Sequence, residues 1–426
     1  MAVKRWNGTA WEVYAGADLA PVKVTDGRVG KTTFIGATSP TGQVDGDIWI
    51  DQDTTTNAVV PTALTTKGDI FAATGNAAYT RFAAGNNGES LYADSTTSTG
   101  LRWQGDFNTG KNKVLNGAFD IWQRGTTFIN PANDTGYTAD RFYSVHNGSG
   151  ATRTITRETF TPGAAPASGY ESQYFLRYNI SAPGTGNTYN YITTSIEDVR
   201  TFAGQTVTFS FWAKASANIN VGWNVDQFFG SGGSAVNYNA GGFPQSTFNL
   251  TNSWQRFTAV ANMSSISGKT IGTSSYLRLF IALPSNQNIT VDTWGWELES
   301  GSVASAFTTN TANPQAELAA CQRYYYKTYN IDVTPGTITD PGYLVCDIPS
   351  LRLTRHGFRF PVTMRSAPSM IVYNPATGGT GTIRTNAATN FTMNGPCALG
   401  TSGGFFDFNP SSGEYGFYHI VASAEL

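Results

Sequence analysis

The chain has 426 residues, only 13% of them charged, with 27 Lys and Arg against 29 Asp and Glu for a net charge of −2. That length exceeds the roughly 250–300 residues at which single cores divide, so two to four domains are expected. The near-zero charge offers no surface for a polyanion, which makes nucleic acid and anionic membranes poor partners.

Aromatic residues make up 13%, beside 46 Gly and 18 Pro. This is enough apolar area to fold, and the turn formers point to an all-β chain of short strands joined by Gly, Asn and Thr loops. The opening MAVKRWNGTAWEVYAG lacks an apolar h-region, so no signal peptide is expected. No run of 18 apolar residues is present, so no membrane insertion is expected either.

Residues 1–60 read as a small β module. Trp6-Asn7-Gly8-Thr9-Ala10-Trp11 is an Asn-Gly turn between aromatics, a hairpin signal, and Asp47-Ile48-Trp49-Ile50-Asp51 is a further short strand. Gly27-Arg28-Val29-Gly30-Lys31-Thr32-Thr33 imitates a phosphate-binding loop. It has Thr25 where the first glycine is needed and no helix follows, so that reading fails. Residues 61–106 are rich in Thr, Ala, Gly and Asn, with isolated anchors at Ile70, Phe71, Tyr79, Phe82, Leu91, Tyr92, Leu101 and Trp103. One copy cannot bury such sparse anchors, whereas several copies around an axis can share a core, a shaft rather than a flexible linker.

Residues 107–312 carry longer strands. In Thr206–Trp212, Val207, Phe209 and Phe211 alternate with Thr206, Thr208 and Ser210, which predicts a half-buried antiparallel strand. Leu277, Leu279, Ile281 and Leu283 form a second inward row. A third strand, Ile289–Glu299, would place Trp294, Trp296 and Leu298 on one face and Glu297 and Glu299 on the other. Such strands with long loops suggest a jelly-roll β-sandwich. Residues 313–327 form the one convincing helix, capped by Asn313, opened by Pro314 and Glu317, with Leu318, Cys321 and Tyr325 on one face. Residues 328–426 return to β texture, so 313–426 read as a helix followed by a second, smaller sandwich. Cys321, Cys346 and Cys397 are sparse and lack CxxC spacing, which fits free buried thiols. His146, His356 and His419 lie far apart, a poor start for histidine catalysis or metal binding.

Several runs are familiar. Leu64-Thr65-Thr66-Lys67-Gly68-Asp69-Ile70, Asn86-Asn87-Gly88-Glu89-Ser90-Leu91-Tyr92 and Gly100-Leu101-Arg102-Trp103 resemble the shaft repeat of bacteriophage tail fibres. Leu115-Asn116-Gly117-Ala118-Phe119-Asp120-Ile121-Trp122-Gln123-Arg124-Gly125 resembles the start of a carbohydrate-binding-module-like jelly roll found in phage fibres. Tyr137-Thr138-Ala139-Asp140-Arg141-Phe142, Ser253-Trp254-Gln255-Arg256-Phe257 and Trp296-Glu297-Leu298-Glu299-Ser300-Gly301 continue that likeness. Glu317-Leu318-Ala319-Ala320-Cys321-Gln322-Arg323-Tyr324-Tyr325 looks like the opening of the C-terminal domain of the same proteins. The resemblance implies a homotrimeric tail-fibre or receptor-binding protein of the virion, synthesised in the host cytoplasm. Its residues 1–60 would join tail or baseplate proteins, and its outer domains would face host-surface glycans.

A glycan site needs flat aromatic faces for sugar C–H surfaces and amide or carboxylate partners for hydroxyls. The stretch from Trp223 to Tyr238 reads as a Gly-rich loop supplying both, through Trp223, Asn224, Asp226, Gln227, Phe228, Tyr238 and Asn239, and Trp212 on the polar face of its strand is a second candidate; the alternative is that these aromatics pack in the core or at subunit contacts. The resemblance also implies a possible structural calcium ion between first and last strands, near Asp120 and Asp292, the alternative being ordinary turn aspartates that cap backbone N–H groups. Glu297 and Glu299, two apart on a strand, have a spacing compatible with a glycoside-hydrolase pair, but a solvated strand face gives the same pattern. The expected function is therefore a non-catalytic, glycan-binding adhesin. The alternatives are a virion scaffold or decoration protein without glycan binding and, less favoured, a polysaccharide depolymerase.

Overall fold

The computed structural model describes residues 64–426 apart from 77, 86–88, 106–109, 168–169, 239–246, 312, 349–353, 388–389, 393–397 and 409–413, together with the backbone of five short strands before residue 64. The chain divides into two compact units, Met1–Gly85 with Leu91–Arg102, and Asn86–Ser90 with Trp103–Leu426.

In the first unit β1 (Lys4–Trp6) and β2 (Trp11–Val13) form the expected hairpin, with Trp6 opposite Trp11. β3 (Val22–Val24), β4 (Thr33–Gly36) and β5 (Ile48–Asp51) make a small mixed sheet. Two two-stranded sheets follow, β6 (Ile70–Gly75) with β7 (Ala78–Phe82), and β8 (Glu89–Ala93) with β9 (Leu101–Gly105). Asp69 clasps the first of these. Its carboxylate accepts from the backbone N–H groups of Thr65, Thr66 and Ala84 and from Arg81 Nε at 2.6 Å. The Arg81 guanidinium holds that carboxyl well below the usual range. Tyr79, Leu91 and Tyr92 are 55%, 42% and 38% exposed.

The second unit opens with an antiparallel sandwich. Its strands are β10 (Thr127–Ile129), β11 (Phe142–His146), β12 (Thr152–Thr159), β13 (Tyr174–Ala182), β14 (Asn190–Glu197), β15 (Thr206–Ala215), β16 (Ile219–Phe228), β17 (Phe248–Leu250), β18 (Gln255–Asn262), β19 (Tyr276–Ala282) and β20 (Ile289–Ser300). They form a six-stranded sheet, β10-β12-β13-β20-β15-β18, packed on a five-stranded sheet, β11-β14-β19-β16-β17. Val207, Phe209 and Phe211 from one sheet and Leu277, Leu279 and Ile281 from the other fill the interior as the alternation predicts.

Two expectations about this sandwich need correction. β20 does not hold Trp294 and Trp296 on one face. Phe209 lies opposite Leu298 and Ser210 opposite Glu297, but the register then slips so that Trp212 faces Trp294. Gly295, at φ 67°, takes the extra residue of a bulge. Trp296 therefore packs inward against Phe209 and Phe142, and Trp294 packs outward against Trp212 and Phe307. Nor is β15 half-buried. Its outer face is covered by the chain that follows β20, so Thr208 and Ser210 are as buried as Phe209.

Glu297 and Glu299 are sealed under the same cover and do not form a solvated face. Thr308 donates to Glu297 through its hydroxyl, Ser305 donates to Glu299 through its backbone N–H, and Lys111 Nζ lies 2.6 Å from Glu299. Burial, with the neighbouring Glu299 charge second, pushes the Glu297 carboxyl up to about 8. A carboxyl raised on folding keeps its proton in the folded state, so its stabilising contribution is full at pH 4 and is lost as pH rises through 8. Thermal melts should therefore fall from pH 5 to pH 8.5, and Glu297→Gln should flatten that dependence. A Glu297→Gln profile as steep as that of the parent would place the titration elsewhere.

The Leu115–Gly125 run is a packing knot. Asn116 and Phe119 take left-handed φ values of 57° and 58°. The Asn116 amide donates to the carbonyls of Ile121 and Asp140, while Gln123 donates to Asp140 and to the Tyr325 carbonyl. A Cβ on Gly117 would lie 2.2 Å from the Trp296 carbonyl oxygen, which accounts for the glycine in that motif.

The remainder contains α1 (Pro314–Gln322), β21 (Tyr325–Lys327), β22 (Leu344–Ile348), β23 (Thr354–Arg359), β24 (Ser369–Tyr373), β25 (Thr382–Thr385), β26 (Asn390–Thr392), β27 (Leu399–Gly400), β28 (Gly403–Phe408) and β29 (Glu414–Ser423). Long β29 pairs with β21, β22, β24 and β25, β28 lies between β23 and β27, and a separate apolar core gathers Phe358, Phe406, Tyr418 and Ile420. The helix stops five residues before the predicted end. Asn313 caps it by accepting from Ala316 N–H, but Tyr325 leaves the helix to pair with Ser423. Ladder bonds to β29 outweigh a last helical turn. Glu317 does more than favour the helix dipole, since its buried carboxylate accepts from the N–H groups of Asn116 and Thr311. Cys321 and Cys346 are free and buried, as expected, while Cys397 lies outside the described residues. Residues 107–312 and 313–426 each have their own apolar core, and polar contacts join them: Arg323 pairs with Glu197 at 2.8 Å, and Glu425 reaches Arg124 and Arg141.

Candidate functional site

The predicted Trp223–Tyr238 loop is in large part strand β16, and its alternation sorts the candidates into two faces. Trp223, Val225 and Gln227 point into the sandwich, where the Trp223 ring lies 5.4 Å from Phe209 and only 2% of the residue is exposed. Gln227 donates its side-chain amide to the Ser264 carbonyl and exchanges backbone bonds with Asn237. Trp212 is buried as well, between the Trp294 and Phe307 rings, with the Arg256 guanidinium 4.7 Å from its ring centre. Neither tryptophan offers a face to a sugar, and Asn239 lies outside the described residues.

Asn224, Asp226 and Phe228 point outward, in register with Phe280, Arg278 and Tyr276 of β19. β14 adds Tyr191 beside Ala282, and the turn before it adds Tyr189. Asn224, Asp226, Arg278, Phe280, Tyr191 and Tyr189 line a cleft of about 550 Å³ on the outer face of the five-stranded sheet, bordered by Asp134 and by Tyr238, which is 62% exposed, while Phe228 and Tyr276 lie beside it on the same face. Tyr191 stacks on Phe280 with ring centres 4.3 Å apart, and Tyr189 continues the run at 5.4 Å. Phe228 and Tyr276 stack at 4.5 Å, and the Arg278 guanidinium lies 4.7 Å from the Phe228 centre. Arg278 donates from both Nε and Nη2 to the single oxygen Asp226 Oδ2, at 3.2 and 2.8 Å, and the Asn224 amide donates to Asp226 Oδ1. Burial pushes the Tyr276 hydroxyl up to about 12 and raises that of Tyr191, so both remain protonated donors near neutral pH. Flat rings beside fixed polar groups can stack sugar rings and bond their hydroxyls.

Of the seven predicted glycan residues, Asn224, Asp226 and Tyr238 line this cleft, Phe228 lies beside it on the same face, Trp223 borders it while its ring is buried in the core, and Trp212 and Gln227 lie elsewhere. The residues missed were Tyr189, Tyr191, Arg278, Phe280 and Asp134. Tyr276, Arg278 and Phe280 form the outward row of the strand whose inward leucines were recognised, so their signal was present in the alternation.

The metal candidates do not meet. Asp292 sits on the outer face of the other sheet, donated to by Arg177 Nε and Nη2 at 2.7 and 2.9 Å, with Lys214 Nζ at 3.5 Å. Asp120 instead lines a 190 Å³ pocket with Glu317, Asn313 and Tyr170, where burial and then the Glu317 charge push its carboxyl up to about 6. Two cations already satisfy Asp292, and among the described residues no group of three or more His, Cys, Asp or Glu side chains is placed to hold a metal ion.

No family model matches the chain, and no curated protein matches it by sequence. Among solved structures it is similar to a CBM4 domain, at 16% identity over 46% of this chain and all of that one, with a TM-score of 0.25. A proposed sugar binding protein from Bacteroides thetaiotaomicron VPI-5482 is 15% identical over 45% of this chain and all of its own, with a TM-score of 0.31. The enzymatically active domain of tailspike protein 4 from bacteriophage CBA120 is 13% identical over 45% of this chain and 22% of that one, with a TM-score of 0.28. Likeness this loose carries no weight for function, which has to come from the cleft itself.

Proposed function

We propose that the chain is a non-catalytic adhesin that holds host-surface glycans in the cleft on the outer face of the five-stranded sheet, as part of a bacteriophage tail fibre. The observation that carries this reading is the row of stacked rings at Tyr189, Tyr191 and Phe280 standing beside Asn224, Asp226 and Arg278 in one cleft. Residues 1–60 would join the virion, and residues 61–106 would form a shaft in which three copies share a core, a role that fits the exposure of Leu91 and Tyr92. Three weak sites on one fibre would raise overall affinity by factors of about 10²–10⁴, so no single cleft has to be tight. A non-catalytic role fits the sealing of Glu297 and Glu299 away from this face.

Adsorption of the purified chain to bacterial cells and to a glycan array tests the reading. Binding is expected, and Tyr191→Ala and Tyr238→Ala should each weaken it about tenfold while circular dichroism remains unchanged, since stacking of this kind is worth about 1 kcal/mol or more. Binding that survives both substitutions would move the site elsewhere. No binding by the parent protein would favour a scaffold that touches only other virion proteins.

A further inference from the structure

The charges around the cleft narrow its ligand. Among the described residues its charged groups are Arg278, Asp226 and Asp134, one cation against two carboxylates. Arg278 is committed: Nε and Nη2 donate to Asp226 Oδ2, and Nη1 lies 4.0 Å from Asp134 Oδ1. Its side chain is 11% exposed, and the guanidinium carbon lies over the Phe228 ring, 4.7 Å from its centre. The Nε–Nη2 edge is thereby engaged by Asp226, and a carboxylate or phosphate approaching the Nη1 edge would meet the Asp134 charge that faces it. Asp226 is 2% exposed, so an acidic sugar that displaced it would leave a buried carboxylate without its cation. One that did not displace it would sit beside Asp134, whose side chain is 54% exposed at the rim. Either position sets like charges together or leaves one unpaired in a partly desolvated cleft. Uncharged hydroxyls meet neither obstacle, because Asp134 can accept from them and the Tyr189 and Tyr191 rings offer apolar faces to the sugar ring.

We propose that the cleft selects uncharged glycan segments and rejects uronic, sialylated or phosphorylated sugars. This rests on the reading of the cleft as a sugar site. The Arg278–Asp226 pair then acts as a positioning device, holding the floor of the cleft flat and electrically closed, while Asp134 screens the entrance.

The test is affinity electrophoresis and calorimetry of the full chain against two sets of probes. One set is neutral (a mixed-linkage glucan, a galactomannan and an arabinoxylan), and the other is acidic (polygalacturonate, hyaluronan and alginate). At least one neutral probe should bind, with an affinity that changes less than twofold between low and high salt, because no net charge is exchanged. Every acidic probe should bind at least about tenfold more weakly than it. Asp134→Asn should raise the ratio of acidic to neutral affinity several-fold. An acidic probe that binds as tightly as the best neutral one, more so at low salt, would overturn the selectivity while leaving the sugar site standing. Failure of all probes in both sets would bring down the sugar site, and the selectivity with it.

Discussion

Glu425→Ala should lower the stability of the Trp103–Leu426 unit by about 3–5 kcal/mol, read as a lower urea midpoint at unchanged slope. Glu425 is the shared anion of two buried cations. One carboxylate oxygen accepts from Arg124 at 2.7 Å and the other from Arg141. Arg141 is 1% exposed, and its guanidinium lies 3.7 Å from the Tyr324 ring centre, as that of Arg124 does from Tyr325. Such cations are tolerated in the interior only with a carboxylate opposite them, and the one alternative for Arg124, Asp140, is 3.7 Å away. Glu425→Gln should recover part of the loss by keeping a hydrogen bond without the charge. An unchanged midpoint for Glu425→Ala would mean that the bonds from Arg365 to the carbonyls of Ala424 and Glu425 hold this end of the chain by themselves.

Trp223→Ala should cost a similar 3–5 kcal/mol, because it opens a cavity beside Phe209 at the centre of the sandwich. Any loss of glycan binding should then follow the unfolded fraction and disappear in stabilising conditions, whereas the loss in Tyr191→Ala should persist. Denaturant melts run beside binding curves separate the two. A Trp223→Ala protein with the parent midpoint and no binding would put the indole back at the ligand.

These two predictions mark where sequence and structure part. The alternation of Val207, Phe209 and Phe211, and of Leu277, Leu279 and Ile281, was enough to establish an all-β sandwich, because a period of two fixes which side chains share a face. The Asn-Gly hairpin, the Asn313 cap and the sparse anchors of residues 61–106 were equally legible, since each is a local preference written in adjacent residues. Three things were not. Gly295 reverses the parity of β20 in mid-strand, and a bulge is set by the partner strand's register as well as by its own glycine. The cover over Thr208, Ser210, Glu297 and Glu299 comes from residues that follow the strand and fold back over it, so polar side chains that look solvated are buried and paired. The cleft, finally, draws Asp134, Tyr191, Asp226 and Arg278 from segments up to about 140 positions apart. Composition and period decide which residues can form a core, but only the pairing of distant strands decides which polar groups end up facing a ligand and which end up facing one another.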